Sequence, residues 1–179
     1  MSSENKSSKE KPITMDKLNP KFKFEVAEEP GGENIKRCFA CATCTTICPV
    51  FEVQDEYDPR KIIRMVLLGM KEEVLKSKLI WMCSGCYSCY ELCPRDVKIT
   101  SVMDALRNIA VREGYAPEGM KASVDQLEKY GRLLEVSEFE NSVRAKKEIP
   151  ELKLTIPEIK ELIKKVGIRK VLGMGDKNE

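Results

Sequence analysis

The chain has 179 residues, 42% hydrophobic and 34% charged, with 31 Lys and Arg against 29 Asp and Glu and no histidine. That length accommodates one or two small domains with a sizeable core, in an ordinary globular composition. Cations and anions are interspersed without a basic stripe, which argues against a nucleic-acid-binding surface.

The N-terminal segment "MSSENKSSKEK" is polar throughout. It lacks the basic region, apolar core and cleavage site of a secretory leader, so a cytoplasmic protein is expected. Residues 1–20, rich in Ser, Lys and Glu, read as a flexible arm, with order beginning near "FKFEV". A domain over residues 21–115, which contains every cysteine, and a helical extension over 116–179 complete the expected organisation.

The first chemical signal is "CFACATCTTICP", from Cys38 to Pro49. Next, Asp58 and Pro59 announce a helix carrying Ile62, Ile63, Val66, Leu67 and Met70 at helical spacing, with Gly69 near its end. Its apolar stretch, Ile62 to Met70, is interrupted by Arg64 and is too short for the roughly 20 residues of a membrane span. A short helix around "KEEVLKS" is expected before the second signal, "CSGCYSCYELCP", from Cys83 to Pro94. Beyond it, "TSVMDALRNIAVREG" reads as a helix capped by Thr100 or Ser101 and stopped by Gly114, its face of Val102, Leu106, Ile109 and Ala110 covering the cysteine runs. "MKASVDQLEKYGRLLEV" predicts another helix. A last one begins with Thr155 and Glu158, with Ile159, Leu162, Ile163 and Val166 inward. The predicted fold is therefore all-α, with almost no strand pattern between the cysteine runs.

All eight cysteines fall in the two runs, and a constant offset of 45 residues relates Cys38, Cys41, Cys44, Cys48 and Pro49 to Cys83, Cys86, Cys89, Cys93 and Pro94. In a reducing compartment such density favours metal over disulfides, and eight regular cysteines exceed what a redox-active dithiol needs. Without histidine, mixed Cys/His zinc sites, Rieske centres and His-ligated haem drop out. Zinc held by four cysteines usually takes two separated Cys-x2-Cys knuckles, whereas Cys-x2-Cys-x2-Cys-x3-Cys-Pro is the ligand pattern of a 4Fe-4S cluster. Two copies predict two clusters, and in two-cluster ferredoxins the last cysteine of each run ligates the other cluster. Carried onto this sequence, Cys38, Cys41, Cys44 and Cys93 hold one cluster, and Cys83, Cys86, Cys89 and Cys48 the other. Pro49 and Pro94 are expected to turn the chain away after the exchanged ligand. Lys36, Arg37, Arg95 and Lys98 stand where they would offset cluster charge, and Phe39, Trp81, Tyr87 and Tyr90 where they would pack and limit water.

"YDPRKIIRMVLLG" followed by "CSGCYSCYELCPRDVKITSVMDALRNIAVREG" resembles the C-type subunit of heterodisulfide reductase, over residues of about 30 to 115. The resemblance implies a helical ferredoxin domain and an electron relay without catalysis of its own. Its partners would be the A-type subunit, which carries flavin and iron-sulfur centres, the B-type subunit, which reduces the disulfide of coenzymes M and B, and an associated hydrogenase or formate dehydrogenase. Ala42 departs from the family's common glycine at that position. The chain has no Cys-Cys-Gly element and no glycine-rich dinucleotide fingerprint, so neither disulfide cleavage nor flavin binding is assigned to it. A free ferredoxin, an iron-sulfur component of another oxidoreductase and a zinc-dependent nucleic-acid binder remain as alternatives.

Overall fold

A computed structural model describes residues 14–174, and among these the regular structure is helical with no strand. The helices are α1 Phe22–Glu28, α2 Thr43–Thr46, α3 Pro49–Val53, α4 Pro59–Leu67, α5 Lys71–Leu75, α6 Ser88–Glu91, α7 Ile99–Arg112, α8 Glu118–Tyr130, α9 Glu138–Lys146, α10 Pro157–Val166 and α11 Ile168–Val171. The chain divides into two compact units, the first ending at Leu106 and the second beginning at Arg107, within α7. Residues 1–13 of the expected arm lie outside the described residues; residues 14–20 include a 3-10 turn at Met15–Lys17.

Helix α4 organises the first unit. Asp58 caps it by accepting the Lys61 amide at 3.1 Å, and Pro59, with no amide to leave unpaired, occupies its first position. Its inner face, Pro59, Ile62, Ile63 and Val66, is buried, each aliphatic chain contributing about 1.5–3 kcal/mol. Gly69 ends it with φ +81°, where a Cβ would lie 2.4 Å from the Asn19 carbonyl oxygen. Helices α1, α2 and α5 pack on α4, and α2 also meets α6.

Several elements differ from expectation. Pro49 does not simply turn the chain: it opens α3, because its fixed φ suits a first helical position. Helix α7 starts at Ile99, with the Val102 amide bonded to the Lys98 carbonyl at 3.1 Å, so neither Thr100 nor Ser101 caps it. Its Val102, Leu106, Ile109 and Ala110 are buried as the periodicity requires. The cysteine-lined hollows described below draw only Ile99 and Thr100 from it.

In the second unit α8 and α10 pack together around Ala116, Val124, Ile163 and Leu172. Arg169 of α11 reaches Asp125 and Glu128 of α8, each at 2.9 Å. Helix α8 stops at Gly131, φ +75°, where a Cβ would meet the Ile156 Cβ at 2.5 Å. Helix α10 begins at Pro157 after Ile156, without a Thr155 cap, and only Ile163 of its stripe is buried; Leu162 and Val166 are 55% and 65% exposed. Helix α9 was not anticipated, although Ser137 and Glu140 form a capping box, the Ser137 amide donating to Glu140 Oε2 at 2.9 Å.

Candidate iron-sulfur centre

The two cysteine runs fold into matching local structures. Ala40 and Ala42 of the first have φ of 62° and 71°, and Gly85 and Tyr87 of the second have 66° and 62°, each pair 45 residues apart. The short helices α2 and α6 follow at the same offset. Left-handed residues bend each loop back on itself and turn successive amides toward one side, a concavity suited to an anionic group. Three of the four are not glycine, at a cost of about 1–2 kcal/mol each.

Around these loops lie two hollows. One, of about 330 Å³, is lined by Cys38, Cys41, Cys44 and Cys93, together with Ala40, Arg60 and Arg95. The other, of about 290 Å³, is lined by Cys48, Cys83, Cys86 and Cys89, together with Tyr57, Ser84, Ser88 and Thr100. Each therefore draws three thiols from one run and the last thiol of the other. Neither is lined by a carboxylate. A single zinc ion needs its sulfurs drawn in to ~2.3 Å. Among the described residues no three Cys, Asp or Glu side chains are gathered closely enough to hold one metal ion. Thiols spread around a hollow, with soft donors only, fit a multi-iron cluster.

The second thiol of each run, Cys41 or Cys86, is exposed, and the third, Cys44 or Cys89, lies deeper. Cys41 Sγ is 3.4 Å from Thr43 Oγ1, and Cys86 Sγ is 3.6 Å from Ser88 Oγ. The Thr43 hydroxyl, then its amide, lowers the Cys41 pKa; the Ser88 amide, then its hydroxyl, lowers that of Cys86. Burial raises Cys89 and pushes Cys44 up to about 11. Cys89 Sγ is also 3.6 Å from Thr100 Oγ1, and the Val97 amide donates to Cys93 Sγ at 3.4 Å. Such contacts to sulfur are among the means by which a protein tunes cluster potential.

Of the cations expected near the runs, Arg95 lines the first hollow. Arg37 instead pairs with Asp96 at 3.8 Å, while Lys36 and Lys98 lie over the rings of Phe24 and Tyr90. Phe39 and Tyr87 are 61% and 52% exposed, so they do not act as internal packing. The buried ring beside the runs is Tyr57, which lines the second hollow with Cys83 and whose pKa is raised strongly, by burial first and by the neighbouring Cys83 thiol. Tyr57 and Arg60 stand in "YDPRKIIRMVLLG", but nothing in that stretch by itself places them beside the cysteines. Thr43 and Ser88 were legible, since the 45-residue offset already pairs two hydroxyl residues two places after a cysteine.

Residues 34–97 match the 4Fe-4S dicluster domain. The chain is 34% identical over 174 residues to the second C-type iron-sulfur subunit of the CoB–CoM heterodisulfide reductase of Methanocaldococcus jannaschii, covering 89% of this chain and 92% of that protein. It is 34% identical over 161 residues to the corresponding C-type subunit of Methanopyrus kandleri, covering 86% and 83%. A third relative is the C2-type subunit of the H2/formate:CoB–CoM heterodisulfide, ferredoxin reductase of Methanococcus maripaludis. It is 42% identical over 106 residues, 55% of this chain and 56% of the relative.

The chain belongs to the family of heterodisulfide reductase C-type subunits. Like other members of that family it is an iron-sulfur electron-transfer component of an oxidoreductase, and its dicluster domain and eight cysteines correspond to two 4Fe-4S clusters. No helix among the described residues is long and apolar enough to cross a membrane.

Proposed function

We propose that this C-type homologue relays electrons within a cytoplasmic heterodisulfide reductase complex. It receives them from a flavin-containing A-type subunit and passes them to the B-type subunit, which reduces the disulfide of coenzymes M and B. A hydrogenase or formate dehydrogenase upstream agrees with the H2/formate reductase to which the Methanococcus relative belongs. The observation that carries the reading is the grouping of eight thiols into two four-thiol hollows that share the two runs.

Cys38, Cys41, Cys44 and Cys93 hold one cluster, and Cys83, Cys86, Cys89 and Cys48 the second. Bound clusters supply one-electron carriers whose potentials the surroundings set. Around the first, Arg60 and Arg95 place positive charge, which favours the reduced form; around the second, Tyr57, Ser84, Ser88 and Thr100 offer hydroxyls. Eight thiolates and two doubly positive cores move the formal charge from +2 to about −2, so the loaded chain stays near neutrality.

Anaerobic iron and sulfide analysis with EPR of the reduced protein tests this. About eight iron and eight sulfide per chain with two interacting reduced clusters is the expected result. Zinc without sulfide would overturn it.

A further inference from the structure

Helix α4 buries one face and leaves Arg60, Lys61 and Arg64 on the other, all exposed. These three cations, with Asp58, Met65 and the left-handed Ala40, line an open hollow of about 720 Å³. Asp58 is the lone carboxylate in that lining; one of its oxygens takes the Thr45 hydroxyl and the Lys61 amide, and the other lies 3.7 Å from Arg60. Arg60 and Arg64 stand four residues apart, and Lys61 and Arg64 three, spacings at which like charges destabilise a helix. Opposite charge is what this face lacks.

Its position gives the charge a use. Ala40 and Arg60 line both this hollow and the first four-thiol hollow, so a molecule seated here lies next to that hollow. The second four-thiol hollow has no cation in its lining. The basic face is therefore specific to one end of the relay.

We propose that this α4 face docks an acidic electron-transfer protein, which exchanges electrons with the cluster held by Cys38, Cys41, Cys44 and Cys93. The inference rests on the iron-sulfur relay argued above and adds where, and by what charge, one redox partner is engaged. Each encounter moves a single electron, oxidising the donor and reducing this chain, with no bond made or broken. Charge complementarity favours a protein surface here, because the cations are spread along a helix face, not converged on one buried point.

The test uses the full chain with both clusters, reduced in a stopped-flow instrument by a reduced acidic ferredoxin at rising salt. Lys61→Glu/Arg64→Glu is compared with Lys160→Glu/Lys164→Glu, which changes the net charge equally through exposed residues of α10. The α4 variant should react about tenfold more slowly at low salt and lose most of its salt dependence. The α10 variant should behave as the parent. Reduction by photoreduced deazaflavin, and both cluster potentials by EPR, should be unchanged throughout.

Equal rates for parent and α4 variant would overturn the proposal while leaving the relay intact, as would equal slowing with both reductants. Slowing by phosphate beyond that of chloride at matched ionic strength would assign the face to a small anion and overturn protein docking. A chain that carries no iron and sulfide would overturn both this inference and the relay.

Discussion

The Thr45 hydroxyl donates to Asp58 Oδ1 at 2.5 Å, and the same oxygen accepts the Lys61 amide. Thr45 immediately follows the buried Cys44, so one carboxylate both starts α4 and holds the first cysteine loop against it. Asp58→Ala removes the cap and leaves a buried hydroxyl without its acceptor. A loss of about 2 kcal/mol in denaturant unfolding is expected, with Asp58→Asn costing less because its amide oxygen still caps. An unchanged midpoint for Asp58→Ala would show that the loop does not depend on this tether.

Ala42 has φ of 71° and ψ of −2°, a conformation open to glycine without steric cost. Relief of Cβ strain exceeds the extra chain entropy of glycine, so Ala42→Gly should stabilise the chain by about 0.5–1 kcal/mol. Ala42→Val should destabilise it by more than that. Thermal unfolding of the three proteins side by side decides the matter, and a stabilising valine would contradict the assignment of strain.

Cys48 lines the hollow of Cys83, Cys86 and Cys89, although it stands in the first run. Cys48→Ala should therefore damage the second cluster and spare the first. The iron count and the EPR signals of the reduced variant distinguish the two. Selective loss of the cluster adjoining Cys38 would falsify the exchanged ligation.

Thiol ionisation gives the metal-free chain a defined pH response. Cys44 holds its proton up to about 11 when folded, against an ordinary value of 9.0. Between those values the folded state binds more protons than the unfolded one, so stability falls as pH rises from about 9 to 11, by roughly 1–3 kcal/mol. Below about pH 9 the Cys44 thiol is protonated in both states, and its contribution no longer changes with pH. Exposed Cys41 and Cys86, whose pKa values are lowered, should alkylate before Cys44 in the folded metal-free chain, as peptide mapping after brief iodoacetamide treatment would reveal.

The sequence carried most of the helices because their signals are local. Asp58-Pro59 at the start of α4 and Gly114 after α7 act through their own backbone, whereas the helix read through "MKASVDQLEKYGRLLEV" stops at the left-handed Gly131 inside it. The cysteine spacing likewise pointed to clusters without any knowledge of packing. What escaped depends on contacts between distant segments. Tyr57 gains its place by lining a hollow with Cys83, and Arg60 by lining one with Arg95, hollows that exist only once both runs have folded. The α10 stripe failed for a related reason: periodicity gives a face, but a second surface must be available to cover Leu162 and Val166.

The exchange of a last cysteine between the two halves also bears on synthesis. The wall that Cys93 supplies to the first hollow is made 45 residues after Cys48, about 2–9 s later at ordinary elongation rates. During that interval the nascent chain displays Cys38, Cys41 and Cys44 without Cys93, and Cys48 without the three thiols of its own hollow. Under the exchanged ligation, iron delivered early would meet the four thiols of one run, of which Cys48 belongs to the other hollow, so neither native site is complete until the far half has left the ribosome.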